Sequence, residues 1–261
     1  MELIDTHCHL DAAEFDADRQ AVLARARAKG VTTIVVPGVT APGWDYLWQF
    51  CAAEPGLYPA LGLHPVYLDQ HEAADLAKLE ILLADHRPVA VGEIGLDYYV
   101  TKLDRERQQV LFEAQLALAR DAGLPVILHV RKAHDAVLAT LRRIRVPGGI
   151  AHAYNGSLQQ AQQYIELGFK LGFGGMLTYE RSRRLRQLAQ ALPVESIVLE
   201  TDAPDLTVAQ HRGMRNSPEY LPYCLAALAE VRGESREELA RQTSANARAV
   251  LELDSPRRQS G

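Results

Sequence analysis

Short runs of β-branched and apolar residues alternate, from one end of the chain to the other, with longer stretches whose apolar positions recur every three or four residues. The short runs predict strands over 3–9, 32–37, 58–64, 89–96, 125–130, 149–152, 170–174 and 196–201. The longer stretches predict helices, notably over 16–29 and over 104–122, where Val110, Leu111, Ala114, Leu118 and Ala119 recur. Gly30, Gly123 and Gly168 stand where helix C-caps belong, and Pro125 cannot continue a helix. The strands lack clean apolar–polar alternation (TIVV, VILH, IVLE), so both of their faces are buried, as in a parallel sheet covered by helices. Eight such strands alternating with helices predict an α/β fold of the (β/α)8 TIM-barrel type, with an open doubly wound sheet as the alternative. Two further helical patterns follow the eighth strand, over about 218–232 and 235–251. Nothing in between reads as a repeat or a linker. Residues 1–253 therefore read as a single barrel domain, and the polar segment 254–261 as a disordered tail.

Composition changes this picture little. At 261 residues, 48% hydrophobic and 23% charged, the chain has the balance of an ordinary globular protein and length enough for one large barrel. No apolar stretch reaches membrane-spanning length, and the N-terminus lacks the basic and apolar regions of a signal peptide. Cys8, Cys51 and Cys224 are odd in number and far apart, which argues against a disulfide framework and sets the expectation of a cytoplasmic protein. The net charge of −5 matters more. A protein that grips nucleic acid by broad phosphate neutralisation is usually basic, so a polyanionic substrate here must be held locally, by a metal or by a few arginines.

The unusual polar residues all fall at strand ends. His7 and His9 end the first strand, Glu93 lies near the end of the fourth, His129 and His152 close the fifth and sixth, and Asp202 follows the eighth. In an α/β barrel those ends meet on one face, where active sites are built. In the segment IDTHCHLD an extended backbone turns His7 and His9 to one side and Cys8 to the other, so both imidazoles can reach one ion. Four imidazoles and two carboxylates without a thiolate exceed what one tetrahedral ion uses. They suit two divalent ions, zinc, manganese or magnesium, sharing a bridging carboxylate. Taken singly, each residue has a plainer reading: a surface HxH pair, a satisfied core histidine, an aspartate capping a turn. Six on strand ends is harder to explain that way, because buried charge is costly unless paired or metal-bound.

With those residues in view, the chain resembles the TatD-type metal-dependent hydrolases, a family of deoxyribonucleases among the amidohydrolase-like barrels. The resemblance rests on DTHCHLD at 5–11, GLHP at 62–65, GEIGLDYY at 92–99, LPVILHVRKA at 124–133, HAYNGS at 152–157, LETDAPDL at 199–206 and RGMRNSPEY at 212–220. It implies a barrel, a divalent-metal centre and phosphodiester hydrolysis. By position it implies that His7, His9, Glu93 and Asp202 hold one metal, and that Glu93 bridges to a second completed by His129 and His152. Two motifs depart from the family's common form: His129-Val130-Arg131, where many members have Ser after the His, and His152-Ala153-Tyr154-Asn155-Gly156, where many read HCFSG. The ligands survive both changes, which bear on the substrate.

The expected mechanism is attack on phosphorus by a hydroxide bridging the two metals, with Asp202 taking the water's proton and Glu93 holding the pair together. His64, Arg131, Tyr154, Asn155 and Arg215 are the weaker candidates for substrate contact, joined by Arg212 and Asn216 on the same loops. Asp5 and Glu200 are candidates to orient a ligand imidazole. His71, His86, His134 and His211 read as surface, and RSRRLR at 181–186 as a helix start with solvated charges in preference to a nucleic-acid patch. Tyr98 and Tyr99 either stack a base or pack over the rim. The substrate expected is nucleic acid, DNA first. The alternatives are another ester or amide, such as an aminoacyl ester on tRNA, and a metal-stabilised scaffold without turnover.

Overall fold

The computed structural model describes residues 1–254; the rest of the expected tail lies outside the described residues. Eight strands form one sheet: β1 (Leu3–Asp5), β2 (Val31–Pro37), β3 (Leu57–Leu61), β4 (Ala90–Asp97), β5 (Val126–Arg131), β6 (Gly149–Ala151), β7 (Phe169–Phe173) and β8 (Ile197–Leu199). They pair in parallel and in chain order. Helices alternate with them: α1 (Arg19–Ala28), α2 (Trp44–Ala53), α3 (Ala73–His86), α4 (Arg105–Ala122), α5 (His134–Arg143), α6 (Leu158–Glu166) and α7 (Arg183–Ala191), with α8 (Leu221–Arg232) and α9 (Arg236–Val250) after β8. This is the expected TIM barrel and not the open doubly wound sheet.

The strands are regular over a shorter span than their apolar runs. His7, His9, His64, His152 and Asp202 lie just past the last paired residue, yet their segments stay anchored: Cys8 N–H donates to Val35 O at 3.1 Å and His152 N–H to Leu128 O at 3.1 Å. Past the ladder the side chains turn into the barrel mouth. Helix starts follow their caps. Asp104 accepts from the Glu106 and Arg107 N–H groups, and Gly123 ends α4 in the left-handed conformation.

Two apolar layers explain why the strands do not alternate. One layer faces the helices, with Val36, Leu61, Phe112 and Leu116 among its members. The other fills the barrel: Ile4, Val35, Ala60, Ala90, Ile127, Ile150 and Val198, one from each of seven strands, packed with Ala247, Leu251 and Leu253 from the end of the chain. The α9 region thus plugs the barrel at the strand N-terminal end, a role its sequence pattern did not disclose. Each fully buried Ile or Leu of this layer contributes about 1.5–3 kcal/mol. With the bottom sealed, the mouth at the strand C-termini is the open end.

Candidate metal centre

The seam between the first and last strands is closed by the segments that carry His7, His9 and Asp202. Thr6 N–H donates to Leu199 O (3.1 Å), Asp202 N–H to His7 O (2.8 Å) and His9 N–H to Ala203 O (2.8 Å). Asp5 reinforces the seam, accepting from the Thr201 and His7 N–H groups and from the Thr201 hydroxyl. It does not orient an imidazole, contrary to one expectation. The alternation along 7–9 holds: His7 Nε2 and His9 Nε2 stand 3.2 Å apart, while Cys8 is buried in the outer layer.

Glu93 sits between two sets of imidazoles. Its Oε2 lies 3.1 Å from His7 Nε2 and 3.5 Å from His9 Nε2. Asp202 Oδ1 lies 3.7 Å from His7 Nε2 and 3.8 Å from His9 Nε2. Donors on a tetrahedron with bonds of about 2.0–2.1 Å are separated by about 3.3–3.4 Å, so these spacings fit one divalent cation. The other oxygen, Oε1, faces His129 Nδ1 at 3.0 Å, His64 Nε2 at 3.2 Å and His152 Nε2 at 3.6 Å. All six residues expected as ligands therefore converge. His64, expected only as an extra pocket residue, stands among them.

Outer hydrogen bonds decide which imidazole nitrogens are free to ligate. His9 Nδ1 faces Pro37 O at 3.2 Å, which has only lone pairs, so the imidazole donates and its Nε2 lone pair points inward. His152 Nδ1 donates likewise to Glu200 Oε1 at 3.2 Å, and His129 Nε2 to Asp97 Oδ2 at 3.0 Å. His64 is the reverse. Its Nδ1 accepts from Val66 N–H at 3.1 Å, which leaves the proton on Nε2, directed at Glu93. His64 is thus a donor to the bridging carboxylate. Among the described residues the buried His7 Nδ1 has no hydrogen-bond partner, and its ring stacks on His152 with centroids 3.8 Å apart.

The electrostatics follow from crowding these groups out of water. Burial alone would raise the Glu93 carboxyl, but His64, His7, His152 and His129 override it and hold Glu93 well below the usual range. Burial, with His152 alongside, lowers His7 to about 4, so it is neutral and able to ligate. Burial also opposes charge on His9 and His152, yet Glu93 and Asp202 raise His9 to about 9, and Glu200, Asp202 and Glu93 raise His152 to about 10. Burial lifts Asp202 to about 6, against the pull of His152 and His9. The carboxylates thus demand positive charge at the centre, and protons and cations compete for the same inward nitrogens.

Several supporting residues carry a signal in the sequence. Asp97, in GEIGLDYY, holds His129. Gln108 of α4 receives Asp97 N–H on its Oε1 (2.7 Å) and donates to Asp97 O (3.0 Å). Gln115, two turns on, does the same for Leu63, beside His64 (2.7 and 3.1 Å). Two buried glutamines on an otherwise amphipathic helix were the sign that the helix pins strand ends. His71 and His134, read as surface, are both buried; His71 Nε2 hydrogen-bonds His64 O, and His134 lies between Tyr164 and Asn155.

A cavity of about 760 Å³ opens beside the centre, with His129, His152 and Asp202 in its wall. Arg131, Tyr154 and Asn155 also line it, Arg131 with its guanidinium 3.7 Å over the Tyr99 ring. Tyr154 is almost wholly buried, and its hydroxyl donates to Ser157 O. Arg215 is turned elsewhere, its guanidinium held by both Asp18 oxygens at 2.8 Å. Asn216 is buried and ties Thr201 O to Asp205 O. In the basic cluster Arg181, Arg183 and Arg184 are exposed, as expected of a helix start with solvated charges, and they also line the cavity.

Comparison with known proteins gives the family. The family model of TatD-related DNases matches residues 4–252. The "uncharacterized metal-dependent hydrolase YjjV" of Escherichia coli K12 is 43% identical over 91% of this chain and 93% of its own length. The crystal structure of Escherichia coli YjjV superposes with a TM-score of 0.93 at 41% identity, over 97% of this chain and 98% of that one. The "3'-5' ssDNA/RNA exonuclease TatD" of Klebsiella pneumoniae is 35% identical over 97% of this chain and 98% of its own. The chain belongs to the TatD-related DNase family and is a metal-dependent hydrolase of that family.

Proposed function

We propose that the protein hydrolyses phosphodiester bonds in nucleic acid, as a deoxyribonuclease, with two divalent cations in half-sites that share Glu93. The observation that carries this reading is the division of Glu93 between two imidazole sets, Oε2 toward His7 and His9, and Oε1 toward His129 and His152. A carboxylate so placed would hold both cations, and the donor set of imidazole and carboxylate suits zinc, manganese or magnesium. Two such cations lower the pKa of bound water and neutralise charge on the phosphoryl oxygens.

The chain's own residues do the rest. Glu93 is 2% exposed and fixed among five histidines, so it would hold the cations and not exchange protons with solvent. Asp202 is 15% exposed and lines the cavity, which makes it the ligand carboxylate placed to accept the proton of the attacking water. His64 keeps its proton on Nε2 and steadies Glu93 Oε1. Asp97 and Glu200 hold the His129 and His152 rings so that only inward lone pairs face the centre. The name of the Klebsiella relative favours single-stranded ends as the substrate.

The test is the purified protein, stripped and then reloaded with Zn²⁺, Mn²⁺ or Mg²⁺, against labelled single-stranded and duplex DNA and a panel of carboxylic esters that includes an aminoacyl ester. Metal-dependent release of nucleotides is the expected result. Ester turnover without any phosphodiester cleavage would assign the centre to another hydrolysis, and silence after full loading would leave a scaffold.

A further inference from the structure

The chain is acidic overall, and most of its arginines are neutralised where they stand: Arg19 by Asp16, Arg143 by Glu113, Arg186 by Glu230, Arg215 by Asp18. Arg131, Arg181, Arg183 and Arg184 are among the described arginines that have no such partner, and their place sets them apart. All four line the cavity that contains His129, His152 and Asp202, and among the described residues none has a carboxylate within 4.0 Å. Three of them cluster at the start of α7. That helix has no side-chain cap on Ser182 and no acidic residue in its first turn. Cations beside the positive end of a helix dipole are unfavourable alone, and become favourable once an anion lies between them. Cavity wall, missing counter-charges and uncapped helix start coincide at one place.

We propose that Arg131, Arg181, Arg183 and Arg184 form a phosphate track, which holds phosphates of a single-stranded oligonucleotide beyond the scissile one. The inference rests on the phosphodiester reading of the metal centre and adds that the enzyme takes a chain in preference to a single diester. Guanidinium groups suit this role because they are always charged and bind phosphate oxygens in pairs. A concave wall with local charge also resolves how a chain of net charge −5 holds a polyanion.

The direct test is binding of a fluorescein-labelled, phosphorothioate-linked hexathymidylate to the metal-loaded protein, followed by anisotropy over a range of salt. For R181A/R184A we expect Kd to rise about tenfold or more, and the slope of log K against log salt to shrink by roughly 0.7 for each phosphate no longer neutralised. In hydrolysis, kcat/KM on the hexanucleotide falls about tenfold more than on a dinucleotide, and R184K recovers part of the loss. Circular dichroism confirms that these exposed substitutions leave the fold intact. Equal binding and an unchanged salt slope in wild type and R181A/R184A overturn the track. So does failure of the wild type to bind the hexamer, and if that same preparation cleaves the dinucleotide, the phosphodiesterase reading survives alone. Cleavage of carboxylic esters with no phosphodiester cleaved removes that reading, and the track with it.

Discussion

Asp5 and Thr201 are joined twice across the barrel seam: Asp5 Oδ1 accepts the Thr201 N–H at 2.9 Å, and Oδ2 accepts its hydroxyl. The pair links the first strand to the last, two residues before His7 and one before Asp202. Its geometry sets the spacing between the N-terminal imidazole pair and the C-terminal carboxylate. Asp5→Ala leaves the buried Thr201 N–H without its acceptor, a cost of about 1–3 kcal/mol. The expected outcome is a fall in Tm of about 2–12 °C by calorimetry, with weaker metal binding. A variant as stable and as metal-avid as wild type would show that the seam is held by backbone bonds alone.

Glu200 reaches the centre only through His152, whose Nδ1–H it accepts, and it also accepts the Ala153 N–H. Gly172 makes room for it, since a Cβ there would stand 2.1 Å from Glu200 Oε2. Glu200→Gln is expected to weaken metal binding by about 10–100-fold, with the fold kept. Gly172→Ala, which touches no ligand, should act in the same direction by displacing Glu200. Competition with a chelating dye reads both, and normal affinity in both variants would remove Glu200 from the metal site.

Glu93→Gln replaces one bridging oxygen with an amide nitrogen that cannot ligate. Metal analysis should find fewer than two cations per chain, and kcat should fall by at least about 10²-fold. The far-ultraviolet spectrum should be unchanged, because Glu93 belongs to no apolar layer. Full activity in this variant is incompatible with a bridged pair of ions.

If the proposed centre holds cations, chelation should also lower stability, since only the fold brings its six far-apart residues together. At a free cation concentration of 100 times Kd the stabilisation is about 2.7 kcal/mol, or about 5–10 °C in Tm for a chain of this size. Melting at several Zn²⁺ and Mn²⁺ concentrations measures it. A Tm independent of metal would place the ions, if any, outside the folded core.

The ligands were legible because each interrupts an apolar strand at its C-terminal end, and a buried imidazole or carboxylate there has few uses other than a site. Asp97 was not, although GEIGLDYY displays it. Its role depends on His129 of the neighbouring strand, and pairing between strands is absent from a local pattern. The arginines at 181–184 are exposed at a helix start, as their pattern predicts, but that pattern looks the same whether or not a cavity opens beside it.

Local chemistry along the chain was enough to determine eight buried strands, the helices between them and the six groups that meet at the barrel mouth, because periodicity and misplaced polarity are properties of short segments. Tertiary structure alone decided that Asp5 closes the seam, that His64 donates where its neighbours accept, that Arg215 turns to Asp18, and that α9 plugs the barrel floor. Each of these depends on which distant group stands within about 3 Å of a hydrogen-bonding atom or packs against it, and folding, not the order of residues, brings such groups together.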